Sequence, residues 1–300
     1  MLCTPDLRDI RFEGVDPVAR KDTRRGSRPG GVPLEAGRRA VVAPGDAAEP
    51  AHDALLTLVL ERAGLDPQDY RPRALRRRSA ACVRHLRVAG PDEARAAVEF
   101  DPTVLEGALS SVLIGTSEFF RDTSVWEAIS RLVLPALLQT QRGLRVCSVG
   151  ASAGQELHSV AMLLTECCAL AHSELIGIDC RQDAVRTATR GWYYDITGVS
   201  ESRRREFFEP VAGGWQVHDA LRGRTAWQRD DLFRFTLAAP VDLLLFRNVA
   251  IYLDAERAEA AWKRLAAHLK PGGFLIAGKA ERPPARLGLT RIGACIYRKP

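Results

Sequence analysis

The chain has 300 residues, 46% of them apolar, and a formal net charge of +6 from 43 basic and 37 acidic side chains. Such a length accommodates two domains with real hydrophobic cores, and the mild positive excess does not demand a nucleic-acid partner. No run of about 18 uncharged apolar residues is present for a membrane span, and the first residues lack the charged and apolar regions of a signal peptide, so a cytoplasmic protein is expected.

Seven cysteines include no C-x-x-C. Cys147, Cys167 and Cys168 fall in strand or helix patterns and read as buried, reduced thiols. The six histidines have no ligand spacing with them, so zinc is not expected.

Residues 1–50 are rich in Arg, Gly, Pro and Ala and lack periodicity; they cannot bury enough apolar surface to offset their ordering entropy, and a disordered extension is expected. From Asp53 to Leu113 apolar residues recur at helical spacing in four segments punctuated by Gly64, Pro72, Gly90-Pro91 and Pro102, which predicts a small helical domain over residues 51–114. Its second helix carries Arg73, Arg76, Arg77, Arg78, Arg84 and Arg87. That basic face is either simply solvated or a docking surface for an acidic protein; nucleic acid is disfavoured because no aromatics interleave with the arginines. Next come Ser117-Glu118-Phe119-Phe120-Arg121-Asp122, whose paired phenylalanines could anchor a linker to the core, and an amphipathic helix through Trp126, Ile129, Leu132 and Leu137.

The organising stretch is Leu144 to Met162. Leu144, Val146 and Val149 read as a strand, Gly150, Ser152 and Gly154 as a tight loop, and Glu156 to Leu164 as a helix. Small residues at such a turn let a nucleotide-like ligand approach the backbone. Three ligands compete. A dinucleotide wants a third glycine, where Gln155 stands, and its diphosphate would be repelled by Glu156. A hydrolase elbow is satisfied by Gly150-Ala151-Ser152-Ala153-Gly154, with Ser152 as nucleophile, but expects upstream strands and a late loop histidine. S-adenosyl-L-methionine (AdoMet) has an ammonium, a sulfonium and no phosphate, and Glu156 suits that ammonium as a charge-assisted partner.

A second strand, Leu175 to Asp179, ends in an acid 25 residues beyond Gly154, where nucleotide-binding sheets hold ribose hydroxyls. A helix follows from Gln182 to Arg190. Residues 195–228 suggest short strands and turns, a small antiparallel insertion. Asp231 could accept a hydrogen bond from an adenine amino group, or be an ordinary loop residue. Val241 to Phe246 is a continuous apolar run of the kind that parallel strands show, and the residues after it face the ligand crevice of such sheets. A helix from Ala255 to Leu269 is expected to stop at Lys270-Pro271-Gly272-Gly273 before a strand from Phe274.

The combination of S-E-F-F-R-D (117–122), G-A-S-A-G-Q-E (150–156), the Asp179 strand, R-N-V-A-I-Y-L-D (247–254) and K-P-G-G-F-L (270–275) resembles the CheR-type chemotaxis protein methyltransferases, over about residues 53–300. The resemblance implies a doubly wound, mainly parallel α/β sheet of the class I methyltransferase, Rossmann-like type over residues 115–300, with the β-insertion, behind an all-helical N-terminal domain. It also implies AdoMet as cofactor and esterification of glutamate side chains on the cytoplasmic helices of chemoreceptors, by a monomer that is not membrane-inserted and binds no nucleic acid. Carried over by position, Ser117 lies on the cofactor side and Arg121 beside the methionine moiety and acceptor. The loop of Gly150, Ser152 and Gly154 cradles the cofactor, Glu156 holds its amino group and Asp179 its ribose. Asp231 and Leu232 lie on the adenine side, and Asn248, Val249 and Tyr252 line cofactor and acceptor. Arg121 and Tyr252 are the catalytic candidates. The family's usual S-T-G-E-E-P-Y-S reads Ser152 to Ser159 as S-A-G-Q-E-L-H-S here, and its G-H-S-E reads Gly278-Lys279-Ala280-Glu281. A catalytically weak signalling module that binds AdoMet, or a methyltransferase for another acceptor, are the alternatives.

Overall fold

The computed structural model describes residues 49–113, 115 and 117–300, all within one unit, Pro44–Pro300. The extension expected over residues 1–50 lies outside the described residues except at its last two positions.

Four helices come first: α1 (Glu49–Arg62), α2 (Pro72–Leu86), α3 (Pro91–Phe100) and α4 (Leu105–Val112). α2 and α3 each open on a proline, whose missing N–H costs nothing in the first turn. Leu55, Val59, Leu75, Cys82, Ala94, Val98 and Leu109 meet in a shared apolar core. α2 turns Leu75, Ser79 and Cys82 inward and leaves Arg73, Arg77, Arg84 and Arg87 exposed, whereas Arg76 forks onto the Asp53 carboxylate of α1 at 2.8 and 2.7 Å.

α5 (Thr123–Ala128) runs through a π-helical segment, Ile129–Val133, into α6 (Leu134–Leu138). The wider turn shifts the phase of the buried stripe. Leu132, expected on that stripe, is 38% exposed, and Val133 is buried in its place.

The remaining elements are β1 (Arg145–Val149), α7 (Gln155–Glu166), β2 (Glu174–Asp179), α8 (Gln182–Arg190), β3 (Trp192–Tyr193), α9 (Glu201–Phe207), β4 (Phe208–Val211), β5 (Gly214–Val217), α10 (Asp219–Arg222), β6 (Thr225–Arg229), β7 (Val241–Phe246), α11 (Ala255–Ala267), β8 (Leu269–Ala277), β9 (Thr290–Arg291) and β10 (Ile296–Arg298). The central sheet has the order β6-β2-β1-β7-β8-β10-β9, parallel from β6 to β8 and antiparallel beyond. β7 is buried along its whole length, which explains its unbroken apolar run. Its one charge, Asp242, is tied down by the Arg145 amide and the Lys270 ammonium, each at 2.7 Å.

Besides Leu132, three further expectations need correction. The inserted antiparallel sheet, β3-β5-β4, spans Trp192–Val217, and residues 225–228 belong instead to β6, the edge strand paired with β2. Lys270-Pro271-Gly272-Gly273 does not interrupt the chain before a strand. It lies inside β8, where the register against β7 shifts between Val241 and Leu243. Cys167 and Cys168 are exposed, because α7 ends at Glu166; Cys82, Cys147 and Cys295 are buried, and all are free thiols. No helix among the described residues is long and apolar enough to cross a membrane.

Candidate active site

The carboxyl ends of β6, β2, β1 and β7 open on one crevice. It is lined by every sequence-predicted site residue except Gly154: Ser117, Arg121, Gly150, Ser152, Glu156, Asp179, Asp231, Leu232, Asn248, Val249 and Tyr252. Gly154 sits behind the wall, at the N-cap of α7, with φ +94°, and a Cβ there would come within 2.7 Å of Ala188 and Trp227. Gly150 also has a positive φ, and a Cβ on it would run into Val249, so the loops after β1 and β7 touch only because that position is bare.

Strain collects around this crevice. Ser152 (φ 51°) and Asn248 (φ 61°) hold left-handed backbone without being glycine, as do Phe120 (51°) and Asp122 (64°) on either side of Arg121. Such conformations persist only where surrounding contacts enforce them, and they cluster at functional sites. The contacts are visible. The Glu281 carboxylate accepts from the amides of Asn248 (2.7 Å), Val249 (2.8 Å), Gly278 (2.9 Å) and Ile251 (3.3 Å), fixing the turn after β7. Burial raises the pKa of Glu281 and these amides oppose the rise.

Arg121 is positioned by its neighbours. Phe119, 1% exposed, stands edge-on to Tyr193 and Phe208 of the inserted sheet at 5.0 and 5.3 Å. Phe120 packs on Trp126 at 5.4 Å beneath the Arg203 guanidinium at 4.2 Å, and its amide donates to Ser159 Oγ. Trp126 Nε1 donates to the Arg121 carbonyl at 2.8 Å. The paired phenylalanines are therefore anchors, and what they anchor is the backbone that presents Arg121 to the crevice.

Glu156, in the first turn of α7, accepts from Ser148 Oγ at 2.8 Å and pairs with Arg247 Nη1 at 3.0 Å. Arg247 is 2% exposed at its side chain, and its Nη2 also donates to Asp122 Oδ2 and to the Arg121 carbonyl, each at 2.9 Å. Lys279 meets the other Asp122 oxygen at 3.0 Å. The Asp179 carboxylate accepts from the Ser152 amide at 2.8 Å and from the Arg181 amide and Nε at 3.0 and 3.1 Å. Burial works to lower the pKa of Arg181, but the Asp179 charge overcomes it and raises the pKa. Burial, then Asp179, pushes the neighbouring Cys180 thiol up to about 12, so it is a neutral wall residue. Asp231 Oδ1 accepts from the Phe233 amide at 2.7 Å, a tight turn that sets the loop after β6.

The hydrolase reading ends here. Ser152 Oγ donates to the Gly115 carbonyl and accepts from Arg181 Nη2 at 3.1 Å, and is paired with no histidine among the described residues. His158, in the first turn of α7 beyond that loop, is buried with its Nε2 3.3 Å from the Ala188 carbonyl. A nucleophilic serine needs a base within hydrogen-bond reach. Charge also disfavours the dinucleotide reading, because the carboxylates of Glu118, Glu156, Asp179, Asp230 and Asp231 outnumber the guanidinium groups of Arg121, Arg181 and Arg247 along the crevice, and Glu156 stands in the first turn of α7 where a diphosphate would sit.

The profile described as "CheR methyltransferase, SAM binding domain" matches residues 115–289, which contain most of these walls. The chain belongs to the CheR methyltransferase family. It is 30% identical over 241 residues to a chemotaxis protein methyltransferase of Listeria monocytogenes, covering 79% of this chain and 92% of the relative. It is also 30% identical over 176 residues to chemotaxis protein methyltransferase 1 of Pseudomonas aeruginosa, covering 54% of this chain and 64% of the relative. As a CheR-family methyltransferase, the protein has AdoMet as its cofactor. The donor set fits that molecule: carboxylates for a cationic amino-acid tail and ribose hydroxyls, apolar walls at Ile178, Leu232 and Phe233, and a glycine where a ligand would approach the β1 loop.

Sequence reasoning missed four residues of this CheR-family site: Arg247, Glu281, Arg181 and Tyr70. Arg247 carried a signal, since a charge placed directly after six buried residues needs buried counterions. Glu281 stands in the Gly278-Lys279-Ala280-Glu281 motif, but its partners, the amides of Asn248, Val249 and Ile251, lie 30–33 residues away and no role was readable. Arg181 sits two residues beyond Asp179 in an ordinary loop pattern, and Tyr70 meets residues distant in the chain.

Proposed function

We propose that this CheR-family protein transfers the AdoMet methyl group to glutamate side chains on the cytoplasmic helices of chemoreceptors, forming methyl esters in the cytoplasm. The observation that carries the reading is the convergence of Glu156, Asp179, Arg121 and Tyr252 on one crevice at the carboxyl edge of a parallel sheet. The names of the Listeria and Pseudomonas relatives support the chemotaxis setting.

In this reading Glu156 holds the cofactor's amino group and Asp179 its ribose, with Asp231 and Leu232 at the adenine and Ser117, Asn248 and Val249 completing the walls. When bound, AdoMet supplies a methyl already activated on a positively charged sulfur. A carboxylate acceptor is ionised at neutral pH and is its own nucleophile, so no strong general base is needed. The work left to the protein is alignment and exclusion of water. Arg121 orients the acceptor carboxylate through a charge-assisted hydrogen bond, and Tyr252 donates a hydrogen bond across the site.

Incubation with tritiated AdoMet and receptor cytoplasmic fragments tests this. The expected result is label on the receptor that mild alkali releases as methanol. Alkali-stable label would point to another acceptor atom, and binding of AdoMet without transfer to a binding module.

A further inference from the structure

Tyr70 lies between the single turn Pro67–Asp69 and α2, in the helical segment and outside the stretch matched by the family profile. Its ring packs against both the helical core and the core beneath α11. The backbone on either side is stitched to the turn after β7. The Asp254 amide donates to the Asp69 carbonyl and the Arg71 amide to the Tyr252 carbonyl, each at 2.9 Å, and Tyr70 itself forms a β-bridge with Leu253. Arg257 pairs with Asp69 and lies 4.0 Å over the Phe233 ring.

Held in this way, Tyr70 is a wall of the cofactor crevice beside Cys180, Asp231 and Phe233. Burial, reinforced by the charges of nearby Asp231, Asp69 and Asp179, raises its phenol well above the ordinary range, so the ring is neutral and keeps its hydrogen. Position along the sheet edge gives the ligand's direction. Glu156 follows β1 and Asp231 follows β6, two strands away in the order β6-β2-β1; at about 4.8 Å per strand that is roughly 10 Å. Asp179, at the end of β2, lies between them. An amino-acid tail at Glu156 and a ribose at Asp179 direct the base towards Asp231 and Tyr70. A purine is flat, aromatic and uncharged, and a neutral aromatic wall suits it.

We propose that Tyr70 is a cofactor-contacting residue by which the N-terminal helices close the adenine end of the AdoMet crevice; this rests on AdoMet occupying that crevice. The helices are then part of the cofactor site in addition to any role in receptor docking.

The full-length chain, labelled with 3-fluorotyrosine, tests this by fluorine NMR, with Tyr70→Phe assigning one of the five tyrosine signals. The Tyr70 signal is expected to move on addition of S-adenosylhomocysteine and of adenosine, and to stay in place with homocysteine. Calorimetry with S-adenosylhomocysteine is expected to find affinity lowered about tenfold in Tyr70→Ala and unchanged in Tyr194→Phe, whose ring is 81% exposed. A Tyr70 signal that stays put at saturating S-adenosylhomocysteine overturns the proposal, as does wild-type affinity in a folded Tyr70→Ala. If Tyr70→Ala does not fold, the NMR result decides. Failure of the parent chain to bind S-adenosylhomocysteine removes the cofactor reading of the crevice, and this proposal with it.

Discussion

Arg247 stands 3.0 Å from the Glu156 carboxylate and 2.9 Å from that of Asp122, with its side chain 2% exposed. One positive and two negative charges share this enclosed corner, leaving a net charge of about −1 that the more exposed Lys279, screened by water, only partly offsets. A cationic amino-acid tail completes the balance, whereas a phosphate would double the imbalance. The arginine also determines where the carboxylate points, since Ser148 and Arg247 hold one oxygen each.

Glu156→Gln keeps the shape and removes the charge. Charge-assisted hydrogen bonds contribute about 1.5–3 kcal/mol, so S-adenosylhomocysteine should bind roughly 10- to 100-fold more weakly by calorimetry. Unchanged affinity would mean that the amino group is held elsewhere.

Arg247→Met removes the counterion from two adjacent carboxylates. Breaking a buried pair by deleting one partner costs about 3–5 kcal/mol, which urea unfolding should read directly. Arg247→Lys should recover only part of this loss, because a single ammonium cannot fork to Glu156, Asp122 and the Arg121 carbonyl together. Full stability in Arg247→Met would show that the network is not structural.

Arg121→Ala should lower methyl transfer by about 100-fold or more, measured on folded protein; the backbone of this stretch is also held through the Arg121 carbonyl and the Phe119 and Phe120 rings. Turnover like the parent's would remove Arg121 from the reaction.

His158 gives the protein an acid sensitivity. Burial draws its pKa down from 6.5 to about 4. Between those values the unfolded chain binds a proton that the native one refuses, so stability is complete above about pH 6.5 and falls as pH drops towards 4. The loss amounts to roughly 3 kcal/mol. His158→Phe, which has no proton to bind, should flatten that part of the stability–pH curve in urea titrations; an unaltered slope would assign it to other groups.

Much of the fold was legible because its signals are local. The helical spacing of Leu55, Leu56, Val59 and Leu60 and the unbroken run of β7 report their own burial. The crevice walls were legible for a related reason: in a parallel sheet, residues just past the strand ends must face the ligand, so Gly150, Asp179 and Asn248 follow once the strands are placed. What escaped depends on distant partners. Arg247 finds Glu156 and Asp122 across 91 and 125 residues, which no periodicity encodes. β6 was absorbed into the insertion because Thr225–Arg229 is a half-exposed edge strand with little apolar content. Leu132 was assigned to the wrong face because a π turn breaks the 3.6-residue period.

The backbone bonds from Asp69 and Arg71 to Asp254 and Tyr252 tie an early loop to a late one across most of the chain. Cutting the gene between α4 and α5, where composition alone would place a seam, removes the partner strand of a turn that borders the reaction crevice. The two halves are separate on paper and joined in the molecule, so transplanting the N-terminal helices onto a sister enzyme would require re-tailoring residues 252–254 along with them.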